Sequence, residues 1–130
     1  MVVAPTKEAV HVLTIAPAAE PRRQELAAAY GVPDARVMLA CSVGREEGGC
    51  AYAIERDTVH LFRLWANDSA LQDGVLRAVL NAGYLAGATR AVCEYEPLEP
   101  LLRFEGFVVS EEGMTVDLAE FFSRPCHGIK

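Results

Sequence analysis

The chain has no C-x-x-C pair, no run of apolar residues long enough to cross a bilayer, and no excess of basic charge. Its four cysteines, Cys41, Cys50, Cys93 and Cys126, lie far apart, which argues against a zinc ribbon or a dithiol redox motif. A spanning helix takes roughly 20 apolar residues, so no membrane crossing is expected. The segment Met1 to Val10 includes Lys7 and Glu8 and lacks the apolar core of a secretory leader. Twelve basic residues stand against eighteen acidic ones, for a net charge of −6. Residues 91–130 hold eight acidic and three basic residues and so carry −5 of that total. Phosphate backbones and anionic membranes are bound by clustered Lys and Arg, so neither nucleic acid nor a membrane surface is expected as a partner. A cationic small molecule or a basic peptide is electrostatically compatible, although an acidic surface also serves solubility alone. Repeats, low-complexity tracts and interdomain linkers are absent too.

What is present is an ordinary globular composition: 130 residues, 52% hydrophobic and 23% charged, which fits one domain spanning 1–130 with one core. Cys41, Cys50 and Cys93 fall in apolar, strand-like runs and read as small buried hydrophobes in a reducing, cytoplasmic setting. Val10 to Ile15 reads as a first strand ended by Pro17. Pro21 then starts a helix through Tyr30 that stops at Gly31. Arg36 to Val43, Cys50 to Arg56 and Val59 to Ala66 read as an antiparallel meander, with turns at Gly44 to Gly49 and at Asp57-Thr58. Strict alternation in the last strand sets Val59, Leu61, Arg63 and Trp65 on one face and His60, Phe62, Leu64 and Ala66 on the other.

The period then changes. Asn67-Asp68-Ser69 is a helix-start cluster, and Leu71, Val75, Leu76, Val79, Leu80, Ala82 and Leu85 follow at the spacing of an amphipathic helix closed by Gly87. Gly74 and Gly83 inside it point to close packing or to backbone approach by a ligand. Ala91 to Tyr95 is a strand, Leu101 to Glu105 a short helix, and Phe107 to Val109 with Met114 to Leu118 a last hairpin around Glu111-Glu112-Gly113. Asp117 to Phe122 then turns helical.

Two segments carry a family likeness: Val75-Leu76-Arg77-Ala78-Val79-Leu80 running to Ala86-Gly87-Ala88, and Leu101-Leu102-Arg103-Phe104-Glu105-Gly106-Phe107, similar to a Leu-Tyr-x-x-x-Gly-Phe pattern. With the element order, they make the chain resemble the GNAT superfamily of acetyl-CoA-dependent N-acetyltransferases over roughly residues 36 to 118. The resemblance implies a single α/β (α+β) domain with a mixed, mostly antiparallel sheet, helices on its faces, and two central strands that splay apart. It implies acetyl-CoA as cofactor, an amine as acceptor (a small molecule or a peptide), and no metal. The cofactor is then expected at Leu64, Trp65 and Ala66 on the strand, and at Leu71, Gln72, Asp73, Gly74 and Val75 at the helix start. The family's phosphate loop has the pattern Arg/Gln-x-x-Gly-x-Gly/Ala. There glycines let backbone N–H groups reach the phosphates at a helix's positive end. Here the matching residues are Asn67, Ala70 and Gln72, flanked by Asp68 and Asp73. Where many members place a tyrosine acid in the short helix, this chain has Leu102.

The candidate chemistry follows. Glu94 and Glu96 sit at the end of the second splayed strand, where either attracts a cationic amine and takes up its proton. His60 is the other candidate base, with His11 behind it, and Tyr95 is the candidate acid in place of the missing tyrosine. Each also has a plain structural reading as a strand-end or half-buried residue. Trp65 is a candidate wall of an acceptor pocket. The alternative class is a noncatalytic GNAT-like binding module that has lost normal acetyl-CoA binding. A metal site at Cys126, His127 and a carboxylate is a third idea. A homodimer is compatible with the sheet edges and with the pair Phe121-Phe122, which need cover.

Overall fold

The structure is a computed structural model and describes residues 13–123. Its strands are β1 (Leu13–Pro17), β2 (Arg36–Ser42), β3 (Arg45–Glu55), β4 (Thr58–Ala66), β5 (Arg90–Cys93), β6 (Val108–Ser110) and β7 (Gly113–Asp117). Its helices are α1 (Arg22–Ala29), α2 (Ser69–Leu85), α3 (Glu99–Phe104, after a 3-10 turn at Glu96–Leu98) and α4 (Leu118–Ser123). The strands make one sheet in the order β1-β2-β3-β4-β5-β7-β6. Only β4 and β5 run parallel, joined through α2. The mixed, mostly antiparallel sheet expected from the sequence is therefore present.

Residues 10–12 of the expected first strand lie outside the described residues. Pro17 ends that strand as expected and is its last paired residue, opposite Met38. This is allowed because β1 is an edge, where a missing N–H breaks no second ladder. The expected turn from Gly44 to Gly49 is a correction: the hairpin turns at Val43-Gly44, both at positive φ, and β3 begins at Arg45. Gly48 and Gly49 are strand residues selected for close approach, since a Cβ on Gly48 would sit 2.9 Å from the Trp65 carbonyl oxygen.

One core lies between the sheet and α2, built from Val75, Leu76, Val79 and Leu80 against Met38, Cys50, Val59, Leu61 and Leu64. Gly83 belongs to this seam, for a Cβ there would overlap the Cγ2 methyl of Val59. Leu85, expected on the apolar stripe, is 77% exposed, one helical step off it. On the opposite face α1 packs Leu26 and Ala27 against Val37 and Ala51. Arg22 ties α1 to β3 by donating to both carboxylate oxygens of Glu46 at 2.7 Å. No helix among the described residues is long and apolar enough to cross a membrane.

Candidate active site

The β4–β5 pairing is short. It runs from Thr58 opposite Arg90 to Leu61 opposite Cys93 and then stops. β4 continues through Phe62 to Ala66 while the chain after Cys93 turns away into the 3-10 turn. The two strands thus diverge into a V. A bulge helps to open it: Ala51 of β3 faces Arg63 while Tyr52 faces Leu61, so Phe62 faces no residue of β3. A bulge of this kind bends its strand and leaves the extra residue out of the ladder. It also shifts the phase of β4. Leu64 joins Val59 and Leu61 in the α2 core, and Phe62 packs on the α1 side. Strict alternation had set Leu64 apart from those two, and the inserted residue is the reason it failed.

His60, Glu94 and Tyr95 line one cavity of about 320 Å³ at the point of divergence, together with Leu61, Phe62, Arg63 and Val92. His60 is partly exposed, with Nε2 3.5 Å from Glu55 Oε1. Glu94 is exposed and Tyr95 half-buried. Arg63 was not singled out in the sequence. Its guanidinium lies over the Tyr95 ring at 4.1 Å and donates to the Phe62 carbonyl at 2.8 Å, closing one side of the cavity. The only signal for it was a cation placed between two apolar strand residues. Glu96 lies next to this cavity rather than in it. With Glu94, Glu99, Glu111 and Glu112 it lines a second cavity of about 450 Å³ between the end of β5 and the β6–β7 hairpin. Of these carboxylates Glu112 is held by the Arg90 guanidinium at 2.7 and 3.0 Å, which keeps it below its ordinary carboxylate range. Trp65 points to the α1 side, beside Gly49, and lines neither cavity. His11, Cys126 and His127 lie outside the described residues. Cys50 and Cys93 are buried, and burial pushes both thiols up, as it does that of the partly buried Cys41; these are inert packing groups. No cluster of three metal-ligating side chains occurs among the described residues.

The start of α2 divides the expected cofactor residues. Leu71 and Gly74 turn toward β1, with Ile15 beside Gly74. Val75 is fully buried in the core, so its side chain packs and does not line a groove. Gln72 and Asp73 line a groove of about 760 Å³ between α2 and α3, with Ser69, Arg77, Leu101, Phe104 and Glu105. Leu64 offers only backbone to the V, since its side chain is core. The positive end of α2 is already met: Asp68 caps it, its Oδ1 accepting from the Leu71 N–H at 2.8 Å. Ser42 and Asn67 hold the nearby Glu47 ionised, with its carboxyl below the usual range. Among the described residues the cation of the groove is Arg77. Its Nε lies 3.2 Å from Asp73 and its Nη2 3.2 Å from Glu105, and Phe121 lies under the guanidinium at 4.9 Å. Glu105 is fully buried, and burial together with the neighbouring Asp73 carboxyl pushes it up to about 7.

No family model matches the chain, and no curated protein matches it in sequence. Solved structures do match. The ribosomal-protein-S18-alanine N-acetyltransferase of Escherichia coli superposes with a TM-score of 0.65 at 11% identity, covering 92% of this chain and 99% of that one. A GNAT-family acetyltransferase from Elizabethkingia anophelis with acetyl-CoA bound gives 0.60 at 13%, covering 76% and 78%. The N-acetylglutamate synthase of Neisseria gonorrhoeae, complexed with coenzyme A and N-acetyl-glutamate, gives 0.61 at 12%, covering 77% of this chain and 29% of the longer protein. At these identities the likeness establishes the architecture: the chain has the GNAT acetyltransferase fold.

Proposed function

We propose that the protein is an N-acyltransferase that takes its acyl group from a coenzyme A thioester, acetyl-CoA first, and passes it to an amine. The observation that carries this reading is the V between β4 and β5, where Phe62 to Ala66 have no partner strand on the β5 side among the described residues. An extended pantetheine arm fits such a gap as an added strand does, through backbone at Leu64 and Ala66. The bound structure of the Elizabethkingia protein supports the choice of ligand. The phosphate end fits less simply. Backbone cradling is lost with the glycines, and the cap of Asp68 fills the helix end, so a side-chain cation in the α2–α3 groove, Arg77, is the group available there.

When bound, an acyl-CoA supplies the acyl group as a thioester, activated for attack. The rest falls to the side chains around the V. Glu94, on the rim shared by the two cavities, draws in a cationic amine and takes the proton it must lose before attack, directly or through water. His60 is the second candidate for that proton. Tyr95 gives its phenolic proton to the departing sulfur, and Arg63 stacked on its ring fixes where the hydroxyl points. A noncatalytic scaffold is the other reading, and the observation that favours it is the carboxylate of Asp68 where a phosphate would sit.

Acetyl-CoA at about millimolar concentration should raise the melting temperature, because a ligand of the folded state stabilises by RT ln(1 + [L]/Kd). Thiol release from acetyl-CoA in the presence of a panel of primary amines then tests transfer. Glu94→Gln should lower kcat roughly a hundredfold or more with the melting temperature unchanged. No thermal shift together with no thiol release rejects the enzyme and leaves the noncatalytic scaffold.

A further inference from the structure

Arg63 differs from the other described arginines in lacking an anion. Arg22, Arg23, Arg45, Arg77, Arg90 and Arg103 each pair with a carboxylate, and Arg36 and Arg56 are exposed to water. Arg63 is partly buried and pairs with no carboxylate among the described residues. It spends one N–H on the Phe62 carbonyl and one face on the Tyr95 ring. The rest of its planar fork of donors is left to the cavity it lines at the head of the V. A charge drawn partly out of water without a counter-ion is costly, so an anion from outside the chain is what completes this site. The fold narrows which anion. His60, Phe62 and Val92 line the cavity, and they alternate with Val59, Leu61, Ala91 and Cys93 of the α2 core. The cavity therefore opens on the α1 face of the sheet, where Phe62 packs. The α2–α3 groove shares no residue with it, so the anion is not a phosphate of the cofactor. Glu94 lines the same cavity and forms no ion pair with Arg63 or with any other described cation. One cavity thus presents a cation on β4 and an anion at the end of β5, and neither neutralises the other.

We propose that the acceptor is a free amino acid, with its amine at Glu94 and its carboxylate on the Arg63 guanidinium. This rests on the acyl-transfer reading above and names the substrate class for it. The guanidinium fork matches the two oxygens of a carboxylate. Holding the carboxylate there leaves the amine one way to face the V, so Arg63 selects and positions the acceptor without touching the reacting atoms. A polyamine or a peptide N-terminus brings no carboxylate beside its amine and leaves Arg63 without a partner. A dicarboxylic amino acid meets like charge at Glu96 and Glu111 beyond the rim, so neutral and basic side chains are favoured. The protons balance as in any such transfer. The ammonium gives one proton to Glu94 and on to solvent before attack. The N–C bond forms as the C–S bond breaks. The second proton leaves the new amide nitrogen and replaces the one that Tyr95 gives to sulfur.

The test is thiol release from acetyl-CoA with alanine, leucine and lysine, each compared with its own carboxamide, in wild type, Arg63→Gln and Arg63→Lys. Wild type should favour the amino acid over its amide in kcat/KM, mostly through KM. Arg63→Gln should reduce that preference roughly ten- to hundredfold, the usual worth of a hydrogen bond to a charged group. Arg63→Lys should keep part of it, since the charge stays and the fork is lost. Any loss that comes through Tyr95 falls on acid and amide alike, and so does the lower basicity of the amide's amine between proteins, so the ratio reads the carboxylate alone. The melting temperature of each variant confirms that it folds. A ratio that is the same in wild type and both variants overturns the inference and leaves the acyltransferase standing, as does turnover of polyamines or peptides with none of amino acids. Thiol release with no amine of any kind, and no thermal shift with acetyl-CoA, overturns both.

Discussion

Glu105 is the only buried acidic residue among the described residues, and its burial has a consequence for the apoprotein. In the folded chain it keeps its proton up to about pH 7, against 4.5 when unperturbed. Between those values the unfolded chain has released that proton and the folded chain has not. The folded state binds more protons there, so stability falls as pH rises from about 4.5 to about 7 and is level beyond. At about 1.4 kcal/mol per pKa unit the change is on the order of 2–3 kcal/mol. Urea unfolding at pH 5 and pH 8 should show this loss in wild type, and Glu105→Gln should remove most of it. The carboxylates held low, Glu46, Glu47 and Glu112, lose their contribution only in acid, below about pH 4.5, so they do not mask the window. A wild-type slope that survives in the variant would place the titrating group elsewhere.

At the scale of elements, glycine and aspartate decide what the chain can do. Gly48-Gly49 read as a turn because paired glycines usually are one. The tertiary demand was different: β3 and β4 come too close there for a Cβ. The bulge at Phe62 was not legible either, because Phe62 continues a run of apolar and alternating residues and nothing local marks an insertion. By contrast the stripe of α2 was readable from spacing alone, with Val75, Leu76, Val79 and Leu80 all fully buried. Gly83 was readable as packing: Gly83→Ala must displace Val59 and should cost about 1–3 kcal/mol by the ordinary penalty of overfilling a core, whereas the double variant with Val59→Ala should recover part of it. Differential denaturation of the three proteins checks this. Asp68 combines two effects that substitution can separate. Asp68→Ser keeps an N-cap acceptor, so stability should change by only a few tenths of a kcal/mol against about 1 for Asp68→Ala. It also removes a negative charge from the helix end, so the affinity for coenzyme A should rise, as calorimetry would report. An unchanged affinity would mean that the phosphates lie away from that end.

The order of elements over roughly residues 36 to 118, taken with the two segments of family likeness, indicated this fold, and three antiparallel strands, a long helix and a parallel strand leave few arrangements of one sheet. The V at its centre was expected only through the family likeness. Strand separation depends on where hydrogen bonding stops, at Leu61 opposite Cys93, and no residue type announces that. The grouping of His60, Glu94 and Tyr95 around one cavity likewise arises from long-range pairing. What composition did foreshadow is the field. The acidic excess of the last third is gathered in part around the cavity of Glu94, Glu96, Glu99, Glu111 and Glu112, against which Arg90 supplies one counter-charge. A field of this sign concentrates cationic acceptors at the rim of the V and repels anionic ones. It acts over the Debye length, which shrinks from about 30 Å at 0.01 M salt to about 8 Å at 0.15 M. For an active enzyme, kcat/KM toward a dicationic or longer polyamine should therefore fall as salt is raised over that range, while kcat/KM toward a neutral amine of the same reach stays level. Glu111→Gln with Glu96→Gln should flatten the dependence without changing kcat, because neither residue lines the cavity of the V. If charged and neutral acceptors respond to salt alike, the acidic rim plays no part in choosing the amine and its carboxylates serve the solubility of the chain.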